Sequence, residues 1–393
     1  MTAAAPPPRS AALDEPATLF TAPFLLTCAT GFALFTSFML MLAILPLHLK
    51  EELGGTDAAV GLIIGVFAFA ALFPRPFIGR EIDRSGSKRF LMAGAVIFVF
   101  ASLLYLVAGN IPLLMGVRVL HGVGMACFHT AAFSFVAELA PARRRGEAMG
   151  IWGLMSTFAT AIGPFVGLII RDSAGTGAVF LVSAACAATG MFLIAFVREP
   201  PRAVYDTPRD GGLFEPAVLT PAIMVVLLTL VYGAVSSFVL LYADERDIAR
   251  KGLYFTAFAA AVLASRVFGG RLADRYGRWA VILPAMTVTA CAMLTLAITS
   301  SLPLLLLAGM LFGLGFGAGH PAMTALAVDL VRPERRGAGM ATFTSAFELG
   351  IGSGSIVMGL VAASTGYAAM FAICAVFPAI AVAYGVTRLR AAG

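Results

Sequence analysis

Apolar runs of membrane-spanning length follow one another from Leu19 almost to the C-terminus, and the short polar breaks between them hold nearly all the charge. A helix needs about 20 apolar residues to cross the ~30 Å hydrocarbon core. Such runs can be placed at 19–45, 58–79, 89–109, 111–138, 146–170, 176–197, 218–243, 252–270, 279–299, 302–329, 338–363 and 367–387. Hydrocarbon offers no partner for backbone N–H and C=O groups, so segments this long must satisfy them internally, as helices. The expected fold class is an all-α integral membrane protein with about 12 transmembrane helices. Only 12% of the 393 residues are charged, about half the fraction usual in soluble domains. Little chain remains for a soluble domain.

The placement of the bases sets the expected topology. Of 27 Lys and Arg, 19 sit at the two ends and at every second break, and five (Lys50, Arg171, Arg246, Arg250, Lys251) lie on the other side. The positive-inside bias then puts both termini in the cytoplasm. The net charge of +6 is thus spent on topology, and no nucleic-acid partner is expected. Residues 1–17, rich in proline, read as a disordered cytoplasmic tail rather than a signal peptide. Five cysteines fall singly inside the runs, without metal-type spacing, so neither a disulfide framework nor a metal site is expected. Arg outnumbers Lys 24 to 3, which suggests a GC-rich bacterial genome and hence a multi-pass protein of the bacterial inner (plasma) membrane.

The few charged phrases repeat. "GREIDRSGSKR" begins at Gly79, and "GRLADRYGRW" begins 191 residues later, at Gly270. The same offset superposes Arg75 on Arg266, Asp83 on Asp274, Arg84 on Arg275, Gly86 on Gly277, His129 on His320, Glu138 on Asp329 and Arg145 on Arg336. One register held over seventy positions implies two homologous halves. The expected domains are six-helix bundles at 18–197 and 218–388, joined by a cytoplasmic linker at 198–217. Parallel repeats of this kind belong to one class of secondary transporters, with the substrate site near the midplane between them.

With these residues the chain resembles the major facilitator superfamily (MFS), whose signature between the second and third helices is G-x-L-A-D-R-x-G-R-[RK]. Gly79, Asp83, Arg84, Gly86 and Lys88 match it, as do Gly270, Asp274, Arg275, Gly277 and Arg278; Glu81 and Ser87 depart from it. Glycines permit tight turns at helix ends. The resemblance implies a cytoplasmic gate in which Asp83, Arg84, Glu138 and Arg145 form one latch and Asp274, Arg275, Asp329 and Arg336 its twin.

Seven charged or histidine positions lie inside the runs, away from their ends. In the fourth, His121, Met125 and His129 fall within roughly 60° of Arg118 around a helix of 100° per residue. A buried arginine costs a few kcal/mol in lipid, so this face should line the central cavity. Arg118, Gly122 and Gly124 resemble the fourth-helix motif R-x-x-Q-G-x-G of proton-coupled members, with His121 in place of Gln. The resemblance makes Arg118 a candidate coupling residue. His121 is either a proton relay or a hydrogen-bonding substitute. His129 and His320, equivalent in the two halves, are candidates for substrate contact or for packing. Glu348 is a carboxylate well inside the hydrocarbon, and an intramembrane acid is a functional candidate by default. It is expected either to carry protons or to form a permanent ion pair with Arg75 or Arg266. Those two arginines are themselves expected to snorkel toward the interface.

In the fifth run, Gly150, Gly163, Pro164 and Gly167 resemble the antiporter motif of drug–proton exporters, with Ala159 and Leu168 replacing two glycines. The resemblance extends to the bacterial efflux branch labelled arabinose-efflux-permease-like, which handles drugs, sugars and metallophores. What it implies is a monomeric, cofactor-free, non-enzymatic transporter that exports a small organic molecule in exchange for protons. Uptake of a sugar or organic acid with protons, and lipid flipping, remain open alternatives.

Overall fold

A computed structural model describes residues 18–141, 144–199, 215–332 and 336–392. The expected tail (1–17) and residues 200–214 of the expected linker lie outside them. Among the described residues every regular element is helical, and 12 stretches are long and apolar enough to cross a bilayer. The first half comprises α1 (Ala22–Glu51), α2 (Asp57–Leu72), α3 (Arg75–Ser85), α4 (Ser87–Leu104), α5 (Ile111–Leu139), α6 (Arg145–Ala174) and α7 (Thr176–Ala195). The second comprises α8 (Leu219–Glu245), α9 (Leu253–Tyr276), α10 (Trp279–Ala297), α11 (Leu302–Asp329), α12 (Arg336–Thr365), α13 (Tyr367–Cys374) and α14 (Val376–Ala392). Twelve crossings return both termini to one side, which we call the terminal face; the opposite side is the far face.

Local chemistry explains where helices start and stop. Thr21, Thr56 and Asn110 cap α1, α2 and α5 by accepting backbone N–H bonds, satisfying donors that a helix start leaves free. The run expected as one helix at 58–79 is interrupted at Phe73–Pro74, where proline cannot donate to the helical ladder. The chain turns at glycines with left-handed φ: Gly86 (106°) and Gly277 (87°), and again Gly175 (83°) and Gly366 (80°). Each pair is 191 residues apart, so the sequence repeat is also a backbone repeat. Gly79 and Gly270 lie inside α3 and α9 and make no turn. The tight turns come from the second glycine of each phrase.

Among the described residues, buried apolar side chains form three clusters. One, running from Leu19 to Val197, belongs to the first half, and one, from Val218 to Ala381, to the second. The third joins both halves through Leu40, Ile44, Val60 and Ile63 on one side and Val235, Phe238, Phe258 and Met358 on the other. It sits toward the far face, where helices of opposite halves touch closely. A Cβ built on Gly61 would stand 2.2 Å from the Ser355 carbonyl oxygen, and one on Gly359 would stand 2.8 Å from that of Asp57. Polar contacts seal the same face. Tyr367 donates to Asp57 Oδ1 at 2.5 Å, and Thr256 donates to the Ala161 carbonyl at 3.0 Å. Within the first half Arg171 pairs with Glu51, and Glu52 accepts from Thr176. Burial alone raises the Glu52 carboxyl, but the Thr176 and His48 hydrogen bonds and the charges of His48 and Arg171 outweigh it, leaving its pKa below the ordinary value.

Candidate functional site

Between the halves lies a cavity of about 220 Å³, on the terminal side of the shared cluster. Its walls are largely aromatic and aliphatic: Phe35, Phe38 and Phe67 from the first half face Tyr232, Phe258, Phe316 and Phe347 from the second. Ser156, Thr157, Thr160 and Ser236 add hydroxyls. Among the described residues lining it, the ionic groups are Arg75, Arg118, Arg266 and Glu348. Three guanidiniums, charged at any accessible pH, therefore face one carboxylate.

Glu348 is 8% exposed, and Arg75 Nη2 approaches its Oε1 at 2.5 Å. The pair joins α3 to α12 and so crosses from one half to the other. Of the alternatives the sequence left open, the acid has an ion-pair partner, and it is Arg75. Arg118 is fully buried; its Nε donates to the Ile63 carbonyl at 3.2 Å, and its guanidinium lies 4.2 Å from the Phe67 ring centre. Its Nη1 and Nη2 find no hydrogen-bond partner among the described residues. Arg266 reaches across to α6, its Nη1 2.9 Å from where a Cβ on Gly153 would stand, and no described carboxylate pairs with it. Arg75 is thus held by its partner rather than extended toward the interface, whereas Arg266 remains exposed. Their side chains line the cavity, because α3 and α9 carry them on the faces turned toward the other half.

The α5 face is only partly as expected. Arg118, Met125 and His129 line the cavity. His121 stands one layer behind it, enclosed edge-on by Phe38, Phe67 and Phe98, with Nδ1 bonded to the Tyr105 hydroxyl at 3.2 Å. His320 likewise packs among rings, stacked on Phe316, tilted against Phe343 and edge-on to Phe347, outside the cavity lining. The angular argument fixed the side of the helix and missed the depth, which is set by Phe38, Phe67 and Phe316 standing in front.

Of the expected latch, the described side chains show the following contacts. Glu138 accepts from Ser87 at 2.9 Å, and Asp329 pairs with Arg278 at 3.0 Å. Ser87 and Arg278 are equivalent at the 191-residue offset, as are Glu138 and Asp329, so each half carries the same link between its third and fourth crossings. Arg84 is exposed, 3.9 Å from Glu81, and Arg275 lies against the Tyr276 ring. The side chains of Asp83, Arg145, Asp274 and Arg336 fall outside the described ones. In α6, Gly163 and Gly167 lie against Met39, Leu40 and Ile44 of α1, whereas Gly150 faces open space. Pro164 lies inside the helix.

Most of the lining was not legible locally. Phe35, Phe38, Tyr232, Ser236, Phe258 and Phe347 come from four helices, α1, α8, α9 and α12, and share no motif. The repeat did hold one signal: the position equivalent to Glu348 is Thr157, and it lines the same cavity.

Relatives agree with this architecture. An uncharacterized MFS-type transporter of Methanocaldococcus jannaschii is 26% identical over 341 residues, covering 83% of this chain and 88% of that protein. One of Burkholderia mallei is 26% identical over 352 residues, covering 88% and 86%. Among solved structures, a bacterial homologue of the human lysosomal transporter Spinster, in an inward-facing and unoccupied conformation, superposes with a TM-score of 0.75 at 16% identity, over 92% of this chain and 95% of that one. The nucleoside transporter NupG does so at 0.76 and 14% identity, over 93% and 99%. The Major Facilitator Superfamily profile matches residues 26–249 and again 222–391. The doubled bundle, its central cavity and this double match together make the chain a member of the Major Facilitator Superfamily, a secondary transporter and not an enzyme.

Proposed function

We propose that the protein moves a small amphipathic organic molecule by alternating access and couples that movement to protons at Glu348. The observation that carries this reading is the Arg75–Glu348 pair. It is buried, lines the cavity and links α3 of one half to α12 of the other. Protonating the carboxylate removes the charge that holds Arg75, and a pair that crosses the interface then stops bracing the halves at that point. The seal at the far face, together with a cavity on the terminal side, corresponds to one end of the rocking motion. With both termini in the cytoplasm, as the positive charges favour, it is the inward-facing end.

Two directions of coupling follow from different features. Export in exchange for protons is supported by the resemblance of Gly150, Gly163, Pro164 and Gly167 to the antiporter motif. Uptake together with protons is supported by the cavity's excess of arginine. The test is proton movement in proteoliposomes carrying a trapped pH dye, challenged with a panel of organic acids, sugars and cationic drugs. Wild type should shift lumenal pH with at least one class, and Glu348→Gln should move that compound without the shift. The sign of the shift separates exchange from co-transport. Transport by wild type with no pH change, or a Glu348→Gln protein that couples as well as wild type, would refute proton coupling at this residue.

A further inference from the structure

The two halves repeat the arginine of the cavity but not the acid. Arg75 and Arg266 are equivalent at the 191-residue offset, and each reaches across the interface to the helix of the opposite half, α12 and α6 respectively. On α12 the arginine meets Glu348. On α6 the equivalent position is Thr157. Arg266 rests against Gly153, and Gly153 and Thr157 are four residues apart, neighbours on one face of the helix. The Thr157 hydroxyl does not serve the guanidinium, since it donates to its own helix at the Gly153 carbonyl, 3.0 Å away. Arg266 is thus held where its twin finds a carboxylate, beside a residue too short and uncharged to supply one.

We infer that the missing acid is brought by the cargo: the substrate is an organic anion whose carboxylate or sulfonate binds Arg266 beside Thr157, with its apolar body among the cavity's aromatic rings. This rests on the reading of the cavity as the transport site. Three guanidiniums and one carboxylate leave two positive charges beside Phe35, Phe38, Phe67, Phe258 and Phe347; apolar rings solvate neither charge, and Arg266, exposed and without a described carboxylate, is open to an anionic partner. A planar guanidinium binds a carboxylate or sulfonate through two parallel N–H bonds. A bare inorganic anion would use the charge and leave the rings unused. An organic cation would meet repulsion. The assignment also gives the coupling a sign: protonating Glu348 adds one positive charge to the cavity and strengthens anion binding, and by linkage the anion strengthens proton binding. Proton and cargo then move together.

The test is ligand-induced thermal stabilisation of the purified full chain in detergent, with 4-phenylbutyrate and 4-phenylbutanesulfonate as probes. The neutral 4-phenylbutanamide, 4-phenylbutylamine, sodium chloride and inorganic phosphate are the controls. The acids should stabilise wild type where the amide, the amine and the inorganic anions do not. Arg266→Gln should weaken binding of the acids at least ~10-fold, the scale of losing a hydrogen bond to a charged group. Thr157→Glu provides the decisive variant, because it supplies the absent carboxylate from the chain itself. It should melt no lower than wild type and lose acid binding, a combination that plain misfolding does not produce. Glu348→Gln should bind the acids more tightly at neutral pH. Should Thr157→Glu abolish binding while Glu348→Gln leaves affinity unchanged, the anion site stands and the proton role of Glu348 falls. The inference is overturned by acid binding that survives in Thr157→Glu, by equal stabilisation from amide or amine, by a response to inorganic anions alone, or by no response to either acid.

Discussion

Tyr367→Phe removes one oxygen, and it should open the far face. The Tyr367 hydroxyl donates to Asp57 at 2.5 Å and ties α13 of the second half to the start of α2 in the first. A hydrogen bond to a charged group contributes ~1.5–3 kcal/mol net. Asp57 also pairs with Lys50 at 2.7 Å, so the carboxylate left behind keeps a partner and the lower end of that range applies. About 1.4 kcal/mol is a factor of ten in an equilibrium. The population open at the far face should therefore rise ~10-fold, since the bond exists only in the closed arrangement. A cysteine at position 236 reports it, because Ser236 is buried in the cavity wall and differs from cysteine by one atom. With the five native cysteines replaced, a membrane-impermeant maleimide applied to the far face should label Ser236→Cys ~10-fold faster in the Tyr367→Phe background. Unchanged labelling in a protein that melts like its parent would show that this bond does not hold the halves, and the reasoning would fail.

Gly61→Ala should act in the same direction through sterics. Its Cβ would stand 2.2 Å from the Ser355 backbone oxygen, and overpacking of that kind costs ~1–3 kcal/mol; far-face labelling should rise and the melting temperature fall. Gly150→Ala meets open space inside α6, so thermal stability should hold or gain up to ~1 kcal/mol, and retained transport in liposomes is the expected companion result. Glu52, whose pKa is lowered in the fold, contributes stability that is present above the ordinary glutamate value of ~4.3 and lost as pH falls through the folded value. In thermal melts from pH 7 to 3.5 the advantage of wild type over Glu52→Gln should be flat at first and fade below pH ~4.3, and Thr176→Val should shrink it.

How much of this was legible follows from what lipid demands of a chain. Hydrocarbon forces long apolar helices, so the twelve crossings stand in the composition. A two-fold repeat must keep its turns, so the 191-residue register was readable in Gly86 and Gly277. The break at Phe73–Pro74 was written in the sequence too, but the apolar run continues across it and hides it. Glu348 was conspicuous as a lone acid. Its partner was not, because Arg75 and Arg266 occupy equivalent places and only the packing of α2 against α12, which brings the start of α3 to Glu348, decides between them. Ser87 looked like a departure from a motif, yet its hydroxyl reaches Glu138 just as Arg278 reaches Asp329. The depth of His121 was hidden because helical angle gives direction and says nothing of which neighbouring ring stands in front, and for His320 only packing chose between the alternatives left open.

What the repeat keeps and what it breaks divide by physical role. The turn glycines Gly86, Gly277, Gly175 and Gly366, and the matching links Ser87–Glu138 and Arg278–Asp329, recur in both halves. These are mechanical parts, and two bodies that rock against each other need the same hinges and braces on each side. The cavity chemistry recurs in Arg75 and Arg266 and in Phe67 and Phe258, but not elsewhere among its polar groups. Glu348 faces Thr157, Met125 faces Phe316, and Arg118 has Gly309 as its counterpart, where a Cβ would stand 2.9 Å from the Tyr254 backbone oxygen and no longer side chain fits. A cargo with one charged end and one apolar end has no two-fold axis, so a site that binds it in one orientation must abandon the symmetry of the scaffold. The asymmetry is concentrated at Arg118, Glu348 and Arg266, which has no carboxylate partner among the described residues, and that concentration marks where the molecule's chemistry, as opposed to its motion, resides.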